Sequence, residues 1–435
     1  LRQYGADKNS VAQSHQSRDM EAKADSELVR RQNRRLVLDA LRRNGPLARV
    51  ELGRVTGLSP ATITAISSQL IAERIIEELQ SPLVLPANAK RGRPVTQLAL
   101  RAKAAHVLAL NISIDTTVLA LADYAGTLLT TEKLHTPTYC ADPASFALST
   151  AEAIRHFLNA AGRNTTDIMR FGIAIQGVAD SREGSIVWSP AFAARDVPLG
   201  DVLERELGIP CFVANDANMM AEGFLASEAT ARNRTLATIF TGYGVGMGLI
   251  IDGRVYHGAS GGASEFGHMN HVPYGALCRC GRRGCIEAYA ADYGILRTAS
   301  GGGDNEVPHS SVDPLAMSDL LARAERGEAA PRAAFDKAGE ALGFGIGRVI
   351  ALLNPHRIVV AGPGLWARQL IEPAMRRAVE ESVVEELRRD VAIEVVPVET
   401  DLILRGTTAA LLRAADDDMS AMGSTRNERG QVAAE

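Results

Sequence analysis

The stretch EFGHMNHVPYGALCRCGRRGCIEAY, residues 265–289, gathers three of the chain's five cysteines, two histidines and two glutamates. Cys278, Cys280 and Cys285 with one histidine make a Cys3His set, enough to close a tetrahedral zinc site with no position left for a reacting water. That count argues against a catalytic metal. The spacing also differs from that of a finger that delivers a helix to DNA. On spacing alone, His268 and His271 are rivals for the fourth ligand. The intervening Gly281, Arg282, Arg283 and Gly284 carry no apolar core pattern, so buried, metal-free thiols are the weaker reading. The stretch predicts a structural clip that shapes a site for something else.

Around this clip lie 435 residues, 46% of them apolar, enough for a sizeable core and two or three domains. The sequence shows no run of about 18 apolar residues, which speaks against a membrane-spanning helix and a membrane partner. Residues 1–26 have no apolar signal region and read as a polar, disordered arm; residues 415–435 read as a disordered tail. Cys140 and Cys211 stand far from the cluster and the count is odd, so a reducing cytoplasm suits the chain better than a disulfide framework. The formal charge of -4 hides an asymmetry. Residues 27–103 hold 14 Lys/Arg against 6 Asp/Glu, a net of +8 that leaves -12 for the rest.

Within the basic segment, RRQNRRLVLDALRRNG sets Leu36, Leu38, Ala40 and Leu41 among arginines and stops at Gly45-Pro46. LARVELGRVTG reads as a second short helix. After Gly57, LSPATITAISSQLIAERIIEEL offers Ser59 as a cap, Pro60 in the first turn, and Ile63, Ile66, Leu70 and Ile71 at helical spacing. Helix, helix, tight turn, helix is the helix-turn-helix order. Ser59, Thr62, Thr64, Ala65, Ser67, Ser68 and Gln69 are read as the small, polar positions that approach DNA. KRGRPVTQLAL then reads as a wing, with Arg91 and Arg93 placed to enter a minor groove. The charge supports operator DNA as partner, since phosphate neutralisation supplies most non-specific affinity. A protein-interaction module of three helices is the bland alternative.

From about residue 104 to 414 strands alternate with helices, the pattern of two α/β lobes, with lobe 1 at about 104–225 plus 396–414 and lobe 2 at about 226–395. Here FGIAIQGVAD, VANDANMMAEG, TGYGVGMGLIIDG, ASEFGHMNH, CRCGRRGCIEAY and NPHRIVVAGPG, behind a winged helix, resemble the ROK family of bacterial sugar repressors and sugar kinases. The resemblance spans roughly residues 30–412. It implies an N-terminal winged helix-turn-helix plus a two-lobed actin-like ATPase/sugar-kinase fold, a homodimer or homotetramer, and transcriptional control by a sugar or sugar derivative. It also implies His268 as the zinc ligand with Cys278, Cys280 and Cys285, and a sugar site at Gly177, Asn215, Asp216, Glu265, His268 and Glu287. An imidazole has two nitrogens, so His268 can serve metal and sugar together. Read alone, Asn215-Asp216 at the end of a strand could equally be a helix cap.

Kinase and repressor branches share the cleft. The kinases carry D-x-G-G-T in the first hairpin, and the same positions here are Asn111, Ile112, Ser113, Ile114 and Asp115. Side chains and a carboxylate replace the bare backbone N–H groups that phosphates need. ATP use is therefore not expected, and Asp216, the family's base, becomes a recognition group. Gly242, Gly244, Gly246 and Gly248 suit a phosphate loop or tight packing equally well, and Ala361 and Pro363 intrude on the other Gly turn. The Asn and Trp that the family commonly has after S-P are replaced by Ala191-Phe192-Ala193, which leaves the sugar's identity open. A sugar kinase and a scaffold with vestigial sites are the competing readings.

Overall fold

The computed structural model describes residues 27–80, 96–139, 141–180, 183–228, 234–259, 261–309, 311–396 and 401–432. The wing tip with Arg91 and Arg93, and the arm 1–26, lie outside the described residues.

The head begins with helix α1 (27–44). It continues through β1 (Leu47–Ala48), α2 (Arg49–Thr56), α3 (Pro60–Ala72), β2 (Ile76–Gln80) and β3 (Thr96–Leu100), with sheet order β1-β3-β2. Ser59 Oγ accepts the Thr62 N–H at 3.2 Å and Pro60 takes the first turn, so α3 starts where its cap chemistry dictates. Leu38, Leu52, Ile63, Leu70 and Leu98 are fully buried and tie the three helices to the small sheet.

The body opens with β4 (His106–Ile112), β5 (Thr116–Asp123), β6 (Leu128–His135), α4 (Pro143–Ala160), β7 (Ile168–Ile175), the hairpin β8 (Val178–Asp180) and β9 (Ser185–Trp188), α5 (Leu199–Leu207) and β10 (Cys211–Asn215). One sheet runs β10-β7-β4-β5-β6, its β7, β4 and β10 parallel, and Phe146 and Ile154 of α4 with Leu203 of α5 share its core. Helix α6 (Asp216–Ser227) leads to the second sheet, order β13-β12-β11-β14-β15. Its strands are β11 (Leu236–Thr241), β12 (Val245–Ile251), β13 (Arg254–Val255), β14 (Arg357–Ala361) and β15 (Ala392–Val395). The helices of this half are α7 (Glu287–Ala290), α8 (Asp292–Ala299), α9 (Pro314–Glu325), α10 (Ala329–Leu353), α11 (Arg368–Ser382) and α12 (Glu385–Arg388). Runs such as IMRFGIAI and RIVVA have few polar positions because both faces of these parallel strands are covered.

Helices α10 and α11 meet closely along Gly339, Gly343 and Gly347, the first two against α11 backbone and the third against the Ser382 side chain. A Cβ at Gly343 would sit 2.2 Å from the Met375 carbonyl oxygen, and one at Gly339 2.4 Å from that of Ile371. Backbone carbonyls in a packed helix cannot step aside. Gly343→Val is expected to destabilise the protein by at least about 3 kcal/mol, the upper end of ordinary overpacking, as read by urea denaturation.

Backbone contacts divide the chain into two compact units, Ala105–Leu412 and a unit that joins the head to the residues from Arg413 onward. Helix α13 runs from Leu402 to Val432, so the tail expected to be disordered from residue 415 is helical through residue 432. The reason lies in the unit it joins. Ala415 and Asp416 are buried, and the Arg42 guanidinium donates to both Asp416 oxygens at 3.1 and 3.2 Å. A polar composition here hides a packed, ion-paired face.

Candidate functional sites

On the head, α3 buries Ile63, Ile66, Ser67 and Leu70 and turns Thr64, Ala65 and Ser68 outward, with Thr62 and Gln69 half-exposed beside them. These outward positions, three and four residues apart, form one face. Ser67 is a correction: it is fully buried, not a DNA-facing residue. Its hydroxyl donates to the Thr64 carbonyl at 3.1 Å and accepts Arg49 Nε at 3.2 Å, which ties α2 to α3. Position 67 lies four after Ile63 and three before Leu70, on the core side of the helix. Gln69 is engaged as well, accepting from Arg30 at 2.7 Å and donating to Glu73 at 2.7 Å.

In the body, the backbone delivers Asn215 from the end of β10, beside Ile175 of β7. Asn215 Nδ2 donates to the Gly177 carbonyl at 2.7 Å, and its Oδ1 accepts the N–H groups of Ala217 and Asn218 at 2.8 and 3.1 Å. The amide therefore caps α6 and pins the Gly177 turn. Gly177 has φ +102°, and a Cβ there would lie 2.3 Å from the Trp188 carbonyl oxygen; only glycine fits. Asp216 Oδ1 accepts the Ala217 N–H at 2.8 Å. Burial raises the Asp216 pKa to about 6, with the Ala217 N–H opposing and the charges of Glu265 and Glu287 adding to the rise. Burial also raises that of Glu265, against the pull of His268.

His268 faces two ways. Its Nδ1 lies 3.7 Å from Cys278 Sγ, and its Nε2 lies 3.8 Å from Glu265 Oε2. The ligand atoms of His268, Cys278, Cys280 and Cys285 all lie within 4.8 Å of one another, with Cys280 and Cys285 sulfurs 3.7 Å apart. That distance is far too long for a disulfide. It matches the roughly 3.7 Å edge of a tetrahedron built on metal–sulfur bonds of about 2.3 Å, so the four residues can hold a metal ion. His271, the rival on spacing, stands outside the group, its ring 5.4 Å from that of Tyr289 and 5.9 Å from that of Phe344.

Glu287 is buried beside the cluster. Its Oε2 accepts the Val245 N–H at 3.2 Å, while its Oε1 accepts the Tyr293 hydroxyl at 3.3 Å and lies 3.5 Å from Cys278 Sγ. One residue escaped the sequence reading. Trp188 sets its ring edge-on to His268, centroids 5.4 Å apart. The aromatic sought after Ser189-Pro190 stands just before it, while Phe192 packs in the core against Phe146 at 5.1 Å.

The kinase-type turns are closed by their own chain. Ser113 N–H donates to the Thr116 carbonyl at 2.8 Å, Ile114 is buried, and Thr138 Oγ1 donates to the Ile114 carbonyl. Gly242 N–H donates to the Gly244 carbonyl at 3.0 Å, and a Cβ at Gly242 would lie 2.7 Å from Pro363 Cγ.

Residues 107–412 match the ROK family, and residues 30–77 match a winged helix-turn-helix DNA-binding module. The chain belongs to the ROK family. It is 24% identical over 364 residues to the xylose repressor of Bacillus subtilis (strain 168), covering 84% of this chain and 90% of that protein. A crystal structure of a ROK family transcriptional regulator, a homologue of the E. coli MLC protein, superposes with TM-score 0.73 at 24% identity, covering 91% of this chain and 98% of the other. A ROK glucokinase from Streptomyces griseus, solved with glucose and AMPPNP, gives TM-score 0.57 at 26% identity; it is covered in full but spans only 71% of this chain. The ROK fold with a winged helix-turn-helix head is thus established for this protein. Among the described residues, no helix is long and apolar enough to cross a membrane.

Proposed function

We propose that this ROK protein is a sugar-responsive, DNA-binding transcriptional repressor of carbohydrate metabolism or transport genes, not an enzyme. It acts in the cytoplasm as a homodimer or homotetramer. The observation that carries this reading is the presence, in one chain, of a helix-turn-helix head and a group of carboxylates that suits a polyol, while the Ser113 and Gly242 N–H groups of the phosphate-type turns are spent internally. Phosphoryl transfer depends on positioned donors and positive potential around the phosphates, and Ser113 and Gly242 donate elsewhere.

In the cleft, Asp216, Glu265 and Glu287 accept from ligand hydroxyls, and His268 Nε2 addresses the ligand from the cluster side. Gly177 and Asn215 hold the wall in shape. Zinc in the Cys3His cluster supplies a rigid cross-link that fixes the imidazole's direction and tautomer. On the DNA side, Thr62, Thr64 and Ser68 with Ala65 meet the major groove, Ser59 and Gln69 flank them, and Arg91 and Arg93 serve the wing. Half-sites about one helical turn apart are expected for paired recognition helices.

The test is selection of duplexes from a random library, then anisotropy titration of the selected operator with and without a sugar panel. At least one sugar should shift operator affinity about fivefold or more, the lower end of ordinary coupling. Arg91→Ala with Arg93→Ala should weaken binding and flatten its salt dependence. Phosphorylation of any sugar with ATP-Mg at about 1 to 100 per second would overturn the non-enzymatic reading. Operator affinity indifferent to every sugar would overturn the sensor.

A further inference from the structure

Gln176 follows the last residue of β7 and precedes the Gly177 turn. The residue is buried, with 9% of its surface exposed, yet its Oε1 has no hydrogen-bond partner among the described residues. Buried amide carbonyls are nearly always paired, so one left open next to a binding cleft marks a group that a ligand completes. The surroundings locate it. A Cβ built on Gly244 would lie 3.0 Å from Glu287 Oε2 and 3.1 Å from Gln176 Nε2. The amide nitrogen and the carboxylate thus converge over the one residue that has no side chain to obstruct them. This orientation is electrostatically favoured, since the reverse would turn the amide carbonyl toward the Glu287 carboxylate. Gln176 thereby stands where the Gly242–Gly248 hairpin borders the polyol groups, Asn215 and Asp216 on one side and Glu287 on the other.

We propose that Gln176 reads the ligand: its open carbonyl accepts a hydrogen bond from a neutral hydroxyl or N–H donor of the bound sugar, and the site refuses a phosphate at that point. The inference rests on the sugar-sensor reading and adds the chemical class of its ligand. A phosphate ester brings only acceptors and negative charge. Here it would meet an amide carbonyl and the carboxylates of Asp216, Glu265 and Glu287. The Arg279 guanidinium at this hairpin is already committed to the Tyr243 and His309 carbonyls and lies over the Tyr293 ring. Phosphate recognition relies on free guanidinium or ammonium groups or on open backbone N–H groups, and the Val245 N–H beside this point is taken by Glu287.

The experiment is calorimetric titration of the full chain with D-xylose, D-glucose, N-acetyl-D-glucosamine and the corresponding sugar phosphates, with Gln176→Met alongside. Methionine keeps the length and removes the carbonyl. For the unphosphorylated sugar that the parent binds best, Gln176→Met should weaken binding about tenfold while the melting temperature holds or rises, because the unpaired carbonyl is gone. The parent should bind every phosphate at least about tenfold more weakly than its free sugar. Affinity within twofold of the parent in Gln176→Met, or a phosphate bound more tightly than its free sugar, would overturn the inference while leaving the sensor intact. A parent that binds none of the probes would instead bring down the sugar reading and this inference with it. If Gln176→Met does not fold, Gln176→Asn withdraws the same carbonyl by one methylene and is held to the same comparison.

Discussion

His268→Ala is expected to remove both the metal and the sugar response. Elemental analysis of protein prepared without chelator should fall from about one zinc per chain to near none. Outer partners of metal-binding histidines alone are worth about 10–100-fold in affinity, and a ligand lost from a closed set of four costs more. The melting temperature should drop with the metal, because a structural site's binding energy is folding energy. Two companion variants separate the ring's two roles. Cys280→Ser removes a ligand and leaves Nε2 beside Glu265, so lost sugar affinity there would show that the metal orients the ring. His271→Ala should keep its zinc, since that ring packs on Tyr289 and Phe344 away from the sulfurs. Zinc retained in His268→Ala, or lost in His271→Ala, would overturn the assignment.

Why the cluster could be read from sequence is a matter of chain reach. H-x9-C-x-C-x4-C confines four ligands to eighteen residues, so short loops alone bring them together. The recognition helix was legible for a similar reason, as its cap, proline and 3.6-residue periodicity are local signals. Ser67 shows where periodicity misleads. A serine at a core-facing position reads as polar surface until Arg49, eighteen residues earlier, arrives to bond it. Trp188 and Gln176 were missed because their roles depend on the packing of distant segments. Trp188 meets His268 across eighty residues, and Gln176 meets Glu287 over Gly244. The Gly339-Gly343-Gly347 ridge shares this property, since its spacing is visible but its partner helix α11 is not. The last helix failed for a different reason. AADDDMSAMGS looks solvated, and it takes a distant partner, Arg42, to make Asp416 an interior residue.

Ser67, Gln176 and Asp416 are polar residues whose places depend on partners far along the chain. Polar residues held in place by remote partners are where local rules and final structure disagree, and such disagreement collects at sites that bind something. Asp216, Glu265 and Glu287 act on one another, with His268 beside Glu265, and gathering like charges in this way costs folding stability.

Asp216→Asn should expose that cost with effects of opposite sign. The Asp216 pKa rises from 3.8 to about 6 on folding, so the native protein holds its proton more tightly than the unfolded chain. Stability therefore falls as pH rises from about 4 to about 6 and is level above that. That rise corresponds to about 3 kcal/mol. Asparagine carries no titrating proton, so the variant should lose this part of the slope and be about 2 kcal/mol more stable than the parent at pH 7, as read by denaturation at pH 4 to 8. Asp292, raised to about 6 by burial against the pull of Arg279, supplies a slope that persists in both proteins. Sugar affinity should move the other way. Hydroxyl donors favour the ionised carboxylate, so parent affinity should climb between pH 5 and pH 7, whereas the variant should bind about 10–100-fold more weakly at pH 7 and show a flatter profile. A simple helix cap predicts otherwise: Asp216→Asn would then leave sugar affinity and its pH dependence unchanged.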